Sequence, residues 1–152
     1  MKGEKVVITL LVGAAFAALA FISKTSTESP VLEKWNKMEF YEGSWEEVLE
    51  AAKNQNKPIF IDIYATWCGP CKMMKLHTFS NKEVARFYNE NFINLALDGE
   101  KGKGAELMER YNLGAFPSLL YLNEKGELIT HTKGYHNPKQ FTELGKAIRE
   151  LQ

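Results

Sequence analysis

Hydrophobic positions in this chain follow two periodic patterns, and an unpatterned apolar stretch precedes both. From Val6 to Ile22 the sequence is almost continuously apolar, with Lys2 and Lys5 before it and Ser23, Lys24, Thr25 and Ser26 after it. At roughly 17 residues the run lies at the short edge of a membrane span and slightly beyond the usual apolar region of a signal peptide. Ala18 and Ala20 supply an A-x-A pattern suited to cleavage, so residues 1–23 read as either a cleaved signal peptide or a retained membrane anchor. No cysteine lies near residue 20 to carry a lipid. In both readings the positive residues ahead of the run favour an N-inside orientation. Everything after Ser23 is then extracytoplasmic, and periplasmic in a Gram-negative cell. A buried core helix is the alternative, but so long an apolar surface needs a larger protein around it. Residues 24–38 read as a tether and 39–152 as one folded domain.

Within that domain the patterns alternate between helical and extended periods. Ser44 with Glu47 forms a capping-box pattern, and Trp45, Val48, Leu49 and Ala52 share a helical face that ends before Pro58. Ile59 to Tyr64 is a β-rich apolar run broken by one charge, Asp62, and reads as a strand buried on both faces. Ser80 with Glu83 repeats the capping box before Val84, Phe87 and Tyr88, and Phe92 to Leu97 reads as a second buried strand. Gly104, Leu107, Met108 and Tyr111 give a third helical face. Ser118–Leu122 and Glu127–Thr132 flank the turn at Asn123–Gly126, a β-hairpin. Asn137 as N-cap and Pro138 at the first helical position open a last helix whose Phe141, Leu144, Ile148 and Leu151 share a face. Such an order predicts an α/β fold with a central mixed β-sheet flanked by helices on both faces.

Composition narrows the function. The chain's 152 residues, 45% of them hydrophobic, suffice for one core. Nineteen basic residues balance nineteen acidic ones, so no positive field is available to hold nucleic acid. The only two cysteines are Cys68 and Cys71, and a disulfide closing so short a loop stabilises a fold rather little. Their chemistry has to justify them. Structural zinc needs four ligands and there is no second C-x-x-C, so no metal is expected. His77, His131 and His136 read as surface or packing residues, Met73 and Met74 as core filler behind the cysteines, and Asp98 with Glu100 as a solvated loop.

The segment Trp67, Cys68, Gly69, Pro70, Cys71, Lys72 reads as a strand end, a tight turn and a helix starting around the first cysteine. Two intervening residues let the sulfurs reach bonding distance, and unpaired N–H groups at the helix start favour a Cys68 thiolate. Cys68 is then the nucleophile in disulfide exchange and Cys71 the resolving thiol. Pro70 stiffens the turn between them. Asp62, inside a buried strand, is expected to have a raised pKa and to accept a proton from Cys71; the alternative is an exposed charge on an edge strand. Phe116 and Pro117 stand at the start of a strand, where a proline is best tolerated if its peptide bond is special, a cis bond included.

W-C-G-P-C-K at 67–72 resembles the thioredoxin active site, and the resemblance extends over about residues 40–150 through Asp62, the F-P-S-L-L stretch at 116–120 and Gly134. It implies the thioredoxin fold, a buried-acid role for Asp62, a cis-proline at Pro117 and a backbone near Phe116 that pairs with an extended substrate. Trp67, Gly69 and Pro70 complete the implied substrate-binding groove. S-W-E-E-V-L-E-A-A-K at 44–53, K-P-I-F-I-D at 57–62 and H-T-F-S-N-K-E-V at 77–84 resemble more narrowly the C-terminal domain of the transmembrane thiol:disulfide interchange reductase. Two departures stand out: Asn94, where thioredoxins usually carry a lysine near the buried acid, and Ser118 in place of a threonine.

The implied function is a protein-disulfide reductase that needs no cofactor. Its partners are disulfide-containing proteins and a separate membrane-bound or soluble thiol electron donor. It works as a monomer that touches the membrane only through residues 6–22. A dithiol oxidant or isomerase, and a non-catalytic module that binds unfolded or partner chains, are the competing readings.

Overall fold

The computed structural model describes residues 36–151; the apolar run and most of the tether lie outside the described residues. Helix α1 (Trp45–Gln55) precedes strand β1 (Ile59–Tyr64), and the short helix α2 (Gly69–Met73) runs directly into a π-helical turn, Met74–Thr78. Helix α3 (Lys82–Asn91), strand β2 (Ile93–Asp98) and helix α4 (Gly102–Arg110) follow. The chain closes with the hairpin β3 (Ser118–Leu122) and β4 (Leu128–Lys133) and helix α5 (Pro138–Glu150). The sheet order is β2-β1-β3-β4, with β1 and β2 parallel and the other pairs antiparallel. This is the mixed sheet that the alternation of patterns predicts.

The period-2 alternation of β1 divides the core. Ile59, Ile61 and Ile63 pack with Val48 and Ala52 of α1 and Leu107 of α4. Phe60, on the opposite face, packs with Met74, Phe79, Tyr88 of α3 and Phe141 of α5. The Tyr88 ring stacks on Phe141 at 4.1 Å, while its hydroxyl donates to the Phe141 carbonyl at 2.8 Å and lies 2.7 Å from the Tyr121 hydroxyl. Burial raises both phenols above their ordinary pKa, so this pair stays neutral and hydrogen-bonded within an aromatic core.

The capping boxes of α1 and α5 form as their sequences predict, through Ser44 with Glu47 and Asn137 with Gln140. That of α3 does not. Ser80 Oγ donates to the Leu76 carbonyl of the π turn at 2.6 Å, so the residue free to enter the helix in an extended conformation is Asn81. Its side chain accepts from the backbone N–H groups of Glu83 (3.0 Å) and Val84 (3.1 Å). Leu151, expected on the buried face of the last helix, is its C-cap and 70% exposed, because α5 ends at Glu150.

Candidate functional site

Parallel β1 and β2 end side by side, with Gly99 N–H donating to the Tyr64 carbonyl at 2.8 Å, and the loops beyond them carry the two cysteines and their neighbours. Cys68 is the N-cap of α2 and is joined to Cys71 by a disulfide. Its Sγ accepts from the Cys71 N–H at 3.1 Å, the environment that stabilises negative charge on sulfur. Pro70 sits in the first turn of α2, where its missing N–H leaves no bond unmade. Both sulfur residues are almost wholly buried against Ala65, Tyr64 and Phe116.

Trp67 stands 66% exposed beside them, its Nε1 donating to Glu100 at 3.1 Å and its ring meeting Phe116 edge-on at 5.8 Å. The Phe116–Pro117 peptide bond is cis, and the Pro117 carbonyl accepts from Gly134 N–H at 2.8 Å. Sequence reasoning passed over Gly99. A Cβ there would collide with the Phe116 ring and come within 2.7 Å of Ile63, so a glycine is what lets Phe116 reach the disulfide.

Asp62 is 5% exposed and one of its carboxyl oxygens, Oδ1, has no hydrogen-bond partner among the described residues. Burial pushes its pKa up to about 7, since nothing nearby offsets the lost hydration. A cavity of about 390 Å³ runs from this carboxyl to Cys71, with Phe40, Phe79, Lys72 and Lys75 in its lining. The residue across from Asp62 on β2 is Ala96; Asn94 pairs with Phe60, and its amide donates to the Glu39 carbonyl (3.3 Å) and to Asn89 (3.2 Å). Asn94 therefore serves the N-terminal segment.

The methionines behind the motif divide. Met74 is completely buried and its Sδ accepts from His136 N–H at 3.2 Å, whereas Met73, expected in the core, is 45% exposed. Adjacent residues lie about 100° apart around a helix, so the two cannot both point into the core from one face. Thr78 of the π turn donates to the His136 carbonyl at 2.6 Å, fixing the loop after β4 against the active-site helix. No local pattern foretells these long-range bonds. Among the described residues no group of three His, Cys, Asp or Glu side chains could hold a metal, and no helix is long and apolar enough to cross a membrane.

Residues 45–149 match the family of thioredoxin-like domains. The chain is 30% identical over 93 residues to the thiol:disulfide interchange protein DsbD of Yersinia pestis, covering 59% of this chain and 16% of that protein. It is 39% identical over 82 residues to Thioredoxin-1 of Drosophila melanogaster, covering 54% of this chain and 70% of that one. Among solved structures, a proposed disulphide-isomerase from Bacteroides thetaiotaomicron superposes with a TM-score of 0.66 at 35% identity, covering 74% and 94% of the two chains. The oxidised C-terminal domain of Neisseria meningitidis DsbD gives 0.57 at 24% identity, covering 67% and 90%, a likeness of fold. The chain thus spans about a sixth of the DsbD protein it matches.

Proposed function

We propose that this chain, which belongs to the thioredoxin-like domain family and is a thiol-disulfide oxidoreductase, reduces disulfides of extracytoplasmic proteins. The observation that carries the reading is the Cys68–Cys71 pair at the start of α2, with the unpartnered Asp62 carboxyl across a cavity from Cys71. In the reduced protein the Cys68 thiolate attacks one sulfur of a substrate disulfide, forming a mixed disulfide and releasing the first substrate thiolate. Asp62 takes the Cys71 proton across the cavity. The Cys71 thiolate then attacks Cys68 Sγ, which expels the second substrate thiolate and leaves the Cys68–Cys71 disulfide. Two electrons have passed to the substrate, and a separate membrane-bound or soluble thiol donor restores the dithiol.

Trp67, Gly69, Pro70, Phe116 and Pro117 form the surface on which the substrate segment rests in this mechanism. The exposure of Trp67 and its contact with Phe116 support that assignment. The reducing direction is supported by the Gly69–Pro70 dipeptide and the likeness to a thiol:disulfide interchange protein. Residues 1–23 carry the domain across the membrane as a signal peptide or hold it there as an anchor, and fractionation with intact-mass measurement separates the two.

The deciding experiment is the equilibrium potential of the cysteine pair, by thiol trapping in defined redox buffers. A value near about −270 mV is expected of a reductase; one near about −120 mV would reverse the direction of electron flow. Failure of the pair to form a disulfide at any poise would remove the enzymatic reading altogether.

A further inference from the structure

The segment Lys37–Tyr41 belongs to no helix or strand, yet five hydrogen bonds fasten it to Phe79, to Asn89 of α3 and to Asn94 of β2. Met38 N–H donates to the Phe79 carbonyl at 2.9 Å and Tyr41 N–H to the Asn94 carbonyl at 2.7 Å. Asn89 clamps it from both sides, accepting from Glu39 N–H at 2.9 Å and donating to the Lys37 carbonyl at 3.2 Å. Asn94 donates to the Glu39 carbonyl, the fifth bond. Exposure alternates along the strap: Lys37, Glu39 and Tyr41 are exposed, while Met38 is buried and Phe40 half-buried. Phe40 meets Phe79 edge-on at 5.4 Å, and the two rings line the same cavity as Asp62 and Cys71.

One wall of the space between the proton acceptor and the resolving cysteine therefore comes from a strap held mainly by two asparagine side chains. The mechanism above does not use this strap. The charged and titratable groups that share the cavity are Tyr64 from β1, Lys72 from α2 and Lys75 from the π turn. Across from Asp62, β2 supplies Ala96 and β3 supplies Leu119. None of these forms a bond with Asp62 Oδ1, so burial of the carboxyl is what governs its proton affinity.

We propose that Phe40, held by the Asn89–Asn94 clamp, is a positioning residue for proton transfer: the strap shields the Asp62–Cys71 cavity from water and thereby sets the strength of Asp62 as a base. The proposal rests on the reading of Asp62 as proton acceptor for Cys71. Loosening the strap hydrates the carboxyl, and a better-hydrated carboxyl is a weaker base that ionises at lower pH.

The test uses the full-length reduced protein and 5,5′-dithiobis(2-nitrobenzoate) in single turnover. Attack by Cys68 releases one thionitrobenzoate, and attack by Cys71 on the resulting mixed disulfide releases the second, so the second phase reads the resolving step. Phe40→Ala should move the acid limb of that phase down by about one pH unit, and Phe40→Leu should restore it. Asn94→Ala, which keeps the aromatic wall but removes a clamp, should shift the limb in the same direction and remains decisive if Phe40→Ala fails to fold. Limbs of folded Phe40→Ala and Asn94→Ala that superimpose on the wild-type limb, or that move upward, overturn the proposal. Asp62→Asn is the control: loss of the limb there with no shift in the strap variants sinks the strap alone. An unchanged limb in Asp62→Asn sinks the Asp62 reading and this proposal together.

Discussion

At the scale of single residues, Asp62 shows how one sequence position can carry both a functional and a thermodynamic signal. A charge inside Ile59–Tyr64 is conspicuous because its neighbours on both sides are apolar, and it is indeed buried. Its carboxyl takes up a proton at a pH of about 7 in the folded chain, against an ordinary value of 3.8. Between those values the folded state binds more protons than the unfolded one, so Asp62 destabilises the fold increasingly as pH rises from about 4 to 7. Asn cannot ionise. In the disulfide form, where neither cysteine titrates, the wild type should lose roughly 2–3 kcal/mol relative to Asp62→Asn between pH 5 and pH 8. Urea unfolding of both proteins across that range checks it. Parallel stability curves would mean the carboxyl ionises in the folded state as easily as in water.

At the scale of elements, what was legible depended on how local the determinant is. Strand β1 and the capped helices α1 and α5 follow from residues within a few positions of each other. The start of α3 and the fates of Met73 and Met74 do not: Asn81 becomes the cap because Ser80 bonds back to the Leu76 carbonyl, and of the two methionines Met74 is the buried one. Trp67 and the cysteines were legible through the motif they make and Pro117 through the family resemblance, whereas Gly99 and Phe40 act on partners distant in sequence, Phe116 and Phe79. Gly104, read from the sequence as part of a helical face, answers to a nearer constraint that the pattern does not show. It lies in the first turn of α4 against the end of β2, and a Cβ there would run into the Asp98 carbonyl, a backbone atom with little freedom to yield. Ala is the better helix former by about 1 kcal/mol, so propensity alone predicts that Gly104→Ala stabilises. Overpacking of about 1–3 kcal/mol should outweigh it, lowering the denaturant midpoint. A raised midpoint would show that α4 can slide on the sheet.

At the scale of the whole molecule, the question is where the folded unit begins, since the tether and the domain meet in a segment without regular structure. Composition suggests residue 39, but packing starts earlier: Met38 is 3% exposed in the core and the Lys37 carbonyl is already bonded to Asn89. A truncation that removes residues 1–29 spares every one of these contacts, so it should leave the unfolding transition of the domain unchanged. Removing residues 1–41 deletes Met38, Phe40 and all five strap bonds. Burial of one large apolar side chain contributes about 1.5–3 kcal/mol, and the hydrogen bonds add to it while chain ordering subtracts. A net loss of about 2–4 kcal/mol follows, which for a domain of this size lowers the melting temperature by roughly 10 °C. The two truncations, compared by calorimetry in the disulfide form, read this directly. Equal melting temperatures would make Lys37–Tyr41 part of the tether, and a segment that adds no stability could not hold Phe40 in the wall of the cavity it shares with Asp62. The shielding proposed for the Asp62 carboxyl therefore requires a strap that contributes measurably to folding.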